Sequence, residues 1–216
     1  MNIYPCNNNS LNFQAYKVAN ISATAKGRTV SDMEIYLLDR SDRVFLDKLK
    51  QKTRYKSLFP KLTEFLQRRW QKVFDYCIAC AHDPDNRTYV AFQDKKPCAI
   101  MTYTPDSSFF LEGICSIPQS PNKKVPFAGS ALLYQLYKDA ERDEVSGISL
   151  EAVTNGPFDV IKKYESIGFT QERAADSKVK MNCRKYRIKE QLKEFPFQME
   201  YKPLEKEIVN LEQFID

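Results

Sequence analysis

A double switch of period constrains this chain more than any other feature. Over residues 62–81 apolar residues recur at helical spacing, with Leu66, Trp70, Val73, Cys77 and Cys80 on one stripe. Past Asp83, Pro84 and Asp85 the pattern becomes that of strands. Residues 88–93 (TYVAFQ) and 98–104 (CAIMTYT) flank Asp94, Lys95, Lys96 and Pro97, a hairpin signature. Residues 109–117 (FFLEGICSI) read as the next strand. Beyond a proline-rich loop, Pro118 to Pro126, the helical period returns, with apolar positions at 129, 132, 133, 136, 137 and 140. Residues 149–153 (SLEAV) read as a strand and 158–167 as a helix, which Gly168 stops before Phe169 opens another strand. Strands that cluster and then alternate with helices specify one mixed α/β (α+β) domain.

The flanks are less regular. Phe13, Ala15 and Val18 hint at a short strand in an Asn-rich start. Residues 33–38 (MEIYLL) read as a first core strand, and Ser41 can cap a helix that uses Val44, Phe45 and Leu49. The tail suggests strands near 179–186 and 195–201. We therefore divide the chain into an N-terminal extension (1–26), a core (27–171) and C-terminal strands and tail that complete the domain (172–216).

Composition removes whole classes. At 216 residues the chain can bury a substantial core, and aromatic residues at 12% with only 6 Gly exclude a disordered or collagenous chain. No apolar run reaches the ~18–20 residues of a membrane span. The start, MNIYPCNNNS, lacks a basic segment followed by an apolar one, so the expected location is the cytoplasm. Net charge is +5, a mild excess that accommodates an anionic ligand without demanding nucleic acid. Residues 48–56 and 178–193 are basic, and such runs usually form solvated faces. Six cysteines without an export signal read as reduced thiols. Cys77 and Cys80 form a CxxC pair, but no second pair exists and His82 is the sole histidine, so a zinc site lacks ligands. Both thiols are expected in the core, without metal.

Strand 109–117, its loop and the following helix are where chemistry concentrates. A helix N-terminus carries unpaired N–H groups and about half a positive charge, and behind a strand and a loop it forms a cradle for pyrophosphate. Ala128, Gly129, Ser130 and Ala131 supply clearance there, with Lys123 and Lys124 just upstream. A plain strand-to-helix connection has the same small residues.

The continuation decides between them. The stretch SIPQSPNKKVPFAGSALLYQL, followed by SLEAVTNGPFDVIKKYESIGF, resembles the core of the GNAT superfamily of N-acetyltransferases. The likeness covers about residues 87–170, and residues 33–81 fit the family's first strand and helix pair in order only. The family's turn, Gln/Arg-x-x-Gly-x-Gly/Ala, is matched here by Lys124, Phe127 and Gly129. Lysine thus replaces arginine, phenylalanine replaces the first glycine, and Pro126 removes one N–H donor.

The resemblance implies a GNAT-like central mixed sheet, antiparallel in its first strands and flanked by helices. It implies acetyl-CoA as cosubstrate, lying in the gap between the family's fourth and fifth strands, and direct attack by an amine. The acceptor would be a small-molecule amine, a protein N-terminus or a lysine; the mild, dispersed charge makes nucleic acid an unexpected partner, and the lack of a long apolar run makes a membrane one too. The cofactor would touch Ile114, Cys115 and Ser116, one of whose N–H groups would hold the oxyanion, and Lys124, Phe127, Ala128, Gly129, Ser130 and Ala131. Tyr164, in YESIGF, matches the tyrosine that protonates the leaving thiolate. Glu112 ranks first as base, ahead of Glu151, with a water relay as the other route. Tyr36, Tyr89, Tyr103, Phe109 and Phe110 can line an acceptor pocket or fill the core. The alternative function is a catalytically weak module of the same fold that binds CoA or a protein partner, and Phe127 is its main support.

Overall fold

The structure is a computed structural model that describes residues 15–25, 27–154, 160–175, 177–195 and 198–215. Strands β1 (Ala15–Ala25) and β2 (Arg28–Leu37) form a hairpin. After a 3-10 turn, Arg40–Asp42, come α1 (Arg43–Lys52), the short α2 (Tyr55–Leu58) and α3 (Glu64–Ala81). The meander β3 (Arg87–Gln93), β4 (Lys96–Thr104) and β5 (Phe109–Ser116) follows. Then come α4 (Ala128–Arg142), β6 (Gly147–Val153), α5 (Val160–Glu165), β7 (Thr170–Ala175) and β8 (Lys178–Arg184). Helix α6 (Lys185–Lys193), β9 (Gln198–Val209) and a 3-10 turn, Leu211–Phe214, complete the described chain.

The nine strands of the described residues join one sheet in the order β7-β8-β6-β5-β4-β3-β2-β1-β9. Every pairing is antiparallel except that of β5 with β6. The β3–β4 turn holds Asp94 and Lys95 at φ 51° and 61°, the left-handed pair whose twist suits a two-residue hairpin. Period-2 alternation sorts the strand side chains onto two faces. Ile35, Tyr89, Met101 and Leu111 pack with Leu132, Leu136 and Tyr137 of α4. Tyr36, Val90, Phe92 and Ile100 pack instead with Phe45 and Leu49 of α1 and Phe74 and Ile78 of α3. Among the described residues no helix is long and apolar enough to cross a membrane.

Several elements differ from the sequence reading. Residues 15–25, set apart there as an extension, are a full strand between β2 and β9, so the first and last described strands meet in the sheet. The boundary at 171 falls inside β7. Residues 185–186, read as strand, begin α6, which buries only Ile188 and so leaves a faint periodic signal. The start of the helix expected over 158–167 lies outside the described residues. On α3 the buried face runs through Gln67, Phe74, Cys77 and Ile78, which leaves Cys80 half-exposed at its edge while Cys77 is buried. Among the described residues no cluster of metal-binding side chains forms.

Candidate functional site

The site begins with a defect in β5. Thr102 pairs with Gly113 but Tyr103 pairs with Leu111, so Glu112 is an extra residue opposite β4, a β-bulge. The parallel ladder to β6 holds Phe109, Phe110 and Leu111 and stops there. Beyond the bulge the two strands part, and a gap opens in the sheet.

The ladder decides which backbone groups face that gap. The Ile117 N–H donates to the Cys98 carbonyl at 2.8 Å, which makes 117, 115 and 113 the residues bonded to β4. By alternation Ile114 and Ser116 turn their N–H and C=O toward β6. Of the three residues expected to offer an oxyanion donor, Cys115 is thereby removed, and Ile114 and Ser116 stay. The Ser116 carbonyl accepts the Tyr55 hydroxyl at 2.7 Å, and the buried Cys115 thiol lies 3.0 Å from the same hydroxyl. Gly113 lets α3 approach: a Cβ there would sit 2.5 Å from Cys77 Sγ.

Helix α4 aims its N-terminus at the open end of β5. A Cβ on Gly129 would make only ordinary contacts, 3.8 Å from Ile114 Cδ1 and 3.8 Å from Ser116 Oγ. Ala128, Ser130 and Ala131 bury their side chains, so they offer a ligand backbone alone. No side chain caps this helix, and Phe127 at the N-cap is left-handed, at φ 62° and ψ 7°. A left-handed residue followed by a helical one turns three successive N–H groups, here of Phe127, Ala128 and Gly129, toward a common point, an anion-binding nest. That backbone costs a non-glycine residue about 1–3 kcal/mol. The Phe127 ring packs against the α4-side core. The Pro126 carbonyl is held by the Ser31 hydroxyl at 2.9 Å.

Lys124 does not follow the family pattern of the turn. Its ammonium lies 4.1 Å from the Trp70 ring centroid and 5.0 Å from that of Phe59, a cation–π seat on the α3 side. Burial pulls its pKa below the ordinary lysine value.

Two titratable groups flank the gap. Glu112 projects on the α3 side, where Oε2 accepts the Tyr76 hydroxyl at 3.0 Å and Oε1 lies 2.9 Å from the Thr104 hydroxyl. Tyr164 lies on α5, its ring edge-on to Phe169 at 5.6 Å. Burial, then the nearby Cys77 thiol, push the Tyr164 phenol well above the usual tyrosine range. A phenol is protonated at neutral pH with or without this shift, which makes it a weaker acid. Glu151 is bonded instead to Lys178 at 2.6 Å on the β8 side. Tyr36, Tyr89, Tyr103 and Phe109 are core residues, and Tyr89 and Tyr103 both donate to the buried Asp139 carboxylate. Sequence reading missed Tyr76, Thr104, Asn86 and Tyr55 as neighbours of the site. They come from α2, α3, the loop before β3 and β4, and no local sequence pattern links them to Glu112 or Ser116.

No family model matches the chain, and no curated protein matches it by sequence. Solved structures do. The PaiA N-acetyltransferase from Thermoplasma acidophilum in complex with coenzyme A aligns at TM-score 0.50 and 17% identity, over 70% of this chain and 98% of that one. FdhC, a nucleotide-linked sugar GNAT, aligns at TM-score 0.54 and 12% identity, over 82% and 96%. Aminoglycoside 6'-acetyltransferase type Ii aligns at TM-score 0.51 and 13% identity, over 70% and 96%. At these identities the likeness establishes the fold: a mixed α/β GNAT fold, as the sequence resemblance implied.

Proposed function

We propose that this chain is an N-acetyltransferase that takes acetyl-CoA and passes the acetyl group directly to an amine. One observation carries the reading: the bulge at Glu112 ends the β5–β6 ladder where the uncapped N-terminus of α4 is aimed. A sheet leaves backbone groups unpaired only where something else satisfies them. The fit to a CoA pyrophosphate is good at the backbone: the N–H groups of Phe127, Ala128 and Gly129 converge, and Gly129 leaves the approach open.

In this reading the N–H of Ile114 or Ser116 stabilises the oxyanion that forms when the amine attacks. Glu112 takes the proton that the amine loses. Tyr164 supplies one to the leaving thiolate. The acceptor is an amine of a small molecule, a protein N-terminus or a lysine.

The second reading, a module that binds CoA or a protein partner without turnover, rests on Phe127 at the family's glycine position. Its left-handed backbone weakens that reading, because the turn keeps the glycine-like conformation despite the side chain. Thermal unfolding with acetyl-CoA tests the proposal. Saturation at ~100 times the dissociation constant adds about 2.7 kcal/mol. Absence of any shift at millimolar acetyl-CoA removes both CoA readings. Gly129→Val, which sets a branched side chain at the cradle, should abolish the shift.

A further inference from the structure

The loop between β5 and α4 is anchored on aromatic rings before it forms the nest. Tyr55 of α2, Phe59 just past it and Trp70 of α3 pack on one another. Their centroids lie 5.6 Å apart for Tyr55 and Phe59, 5.7 Å for Tyr55 and Trp70, and 6.0 Å for Phe59 and Trp70. The Lys124 ammonium lies over two of these rings, 4.1 Å from the Trp70 centroid and 5.0 Å from that of Phe59. Asn122 ties the same loop to α2, its N–H donating to the Leu58 carbonyl at 2.8 Å. The rings belong to the α3-side core, whereas Val125 and Phe127 pack on the α4 side. The chain thus changes layer just after Lys124. Only Val125 and Pro126 separate the ring seat from the nest, and neither bends freely. The proline ring fixes φ at Pro126 and disfavours helical backbone at Val125. The Ser31 hydroxyl holds the Pro126 carbonyl at 2.9 Å, and the Val125 side chain is buried. A displacement of Lys124 is therefore passed on to Phe127.

We infer that Lys124 is a positioning residue: its ammonium, seated on Trp70 and Phe59, sets the backbone of the anion-binding turn at Phe127, Ala128 and Gly129. The inference rests on the reading of that turn as the pyrophosphate site. Attraction between a cation and a ring face favours one loop geometry. It thereby raises the fraction of molecules in which the nest is formed. Without the seat, apparent affinity for the ligand falls by the factor by which that fraction falls. The same rings act on the other side of the gap, because the Tyr55 hydroxyl donates to the Ser116 carbonyl at 2.7 Å. One aromatic unit thus fixes both the open end of β5 and the approach to α4.

The test needs no acceptor. Calorimetry gives the acetyl-CoA dissociation constant of each protein, and thermal unfolding without ligand is recorded separately. Lys124→Met keeps the length of the side chain and removes its charge, so the dissociation constant should rise about three- to ten-fold. Lys124→Arg, whose guanidinium also stacks on rings, should recover most of that loss, to within about two-fold of the wild type. Trp70→Leu should weaken binding as Lys124→Met does, and the double variant should be no weaker than the worse single one. Trp70→Phe keeps a ring with a less attractive face. It should give a smaller loss, and it serves as the arm if Trp70→Leu does not fold. Trp70 is the sole tryptophan, so its emission reports the seat directly. That emission should change in Lys124→Met and stay near the wild type in Lys124→Arg. A lysine that touches phosphate gives another pattern: Lys124→Met weakens binding while the Trp70 variants bind as the wild type does. That pattern overturns the inference. So does a loss of thermal stability with unchanged affinity, or emission that ignores Lys124→Met. A wild type that binds no acetyl-CoA withdraws the transferase reading and this inference together, whereas binding that every variant leaves untouched withdraws this inference alone.

Discussion

The two halves of β5 do opposite work. Phe110 and Leu111 are paired on both edges, to β4 and to β6, and Phe109 and Leu111 are buried in the α4-side core. Past the bulge, Ile114 and Ser116 stay in register with Met101 and Ala99 of β4 but have no partner on β6, Gly113 has no side chain, and Tyr55, Cys77 and Gly129 approach from three helices. The closed half stabilises through side-chain burial. The open half is shaped by how near other backbones come, and it keeps hydrogen-bonding groups for a ligand. A single extra residue, Glu112, separates the two regimes and supplies the carboxylate at their border.

If that division holds, the closed half should dominate stability. Phe109 is 1% exposed, and Phe109→Ala should cost about 3–5 kcal/mol in denaturant unfolding. Ser116→Ala in the open half should stay within about 1 kcal/mol. Comparable losses from the two would erase the distinction.

The open half should instead resist added bulk. A Cβ at Gly113 would lie 2.5 Å from Cys77 Sγ, so Gly113→Ala should cost about 1–3 kcal/mol. Cys77→Ala removes the sulfur, and the double variant should unfold like Cys77→Ala alone, a coupling that a double-mutant cycle measures directly. A neutral Gly113→Ala would mean that close approach is not what shapes this segment.

If Tyr164 is the proton donor proposed above, its hydroxyl should register in turnover alone. Tyr164→Phe keeps the ring against Phe169 and deletes the hydroxyl. With an amine acceptor found by screening, kcat should fall at least about ten-fold, while the stabilisation by acetyl-CoA persists. Near-normal turnover would return Tyr164 to the role of a core aromatic.

How much of this the sequence carried follows from range. The β3–β4 hairpin was legible because Asp94 and Lys95 sit between two alternating runs, and α4 because its apolar stripe is local. Pairing of β1 with β9 joins residues nearly the whole chain apart, and no local pattern encodes it. The bulge was illegible for a related reason: it is a mismatch between Thr102–Tyr103 and Leu111–Gly113, visible only once the register is known. The family likeness pointed to Glu112, Gly129, Tyr164 and Lys124 as site residues, but it could not show that the Lys124 ammonium lies over Trp70 on another helix.

Phe127 gives the finest test of the border. The sequence set phenylalanine where the family pattern has glycine, and the structure keeps the backbone that glycine would favour, at φ 62°. Two energies therefore oppose each other. Phe127→Gly relieves about 1–3 kcal/mol of left-handed strain but loses the packing of a half-buried ring worth about 1.5–3 kcal/mol when fully buried. The net change in stability should lie within about 1 kcal/mol. Because the nest is made of N–H groups and not of the side chain, the shift by acetyl-CoA should survive in Phe127→Gly. Phe127→Val poses the reverse case. A β-branched residue at positive φ is an outlier, so the turn should rearrange and the three N–H groups diverge, with the acetyl-CoA shift lost although valine is smaller than phenylalanine. Should Phe127→Gly lose the shift while Phe127→Val keeps it, the ring itself would be the contact, and the backbone of the turn would have no part in holding the anion.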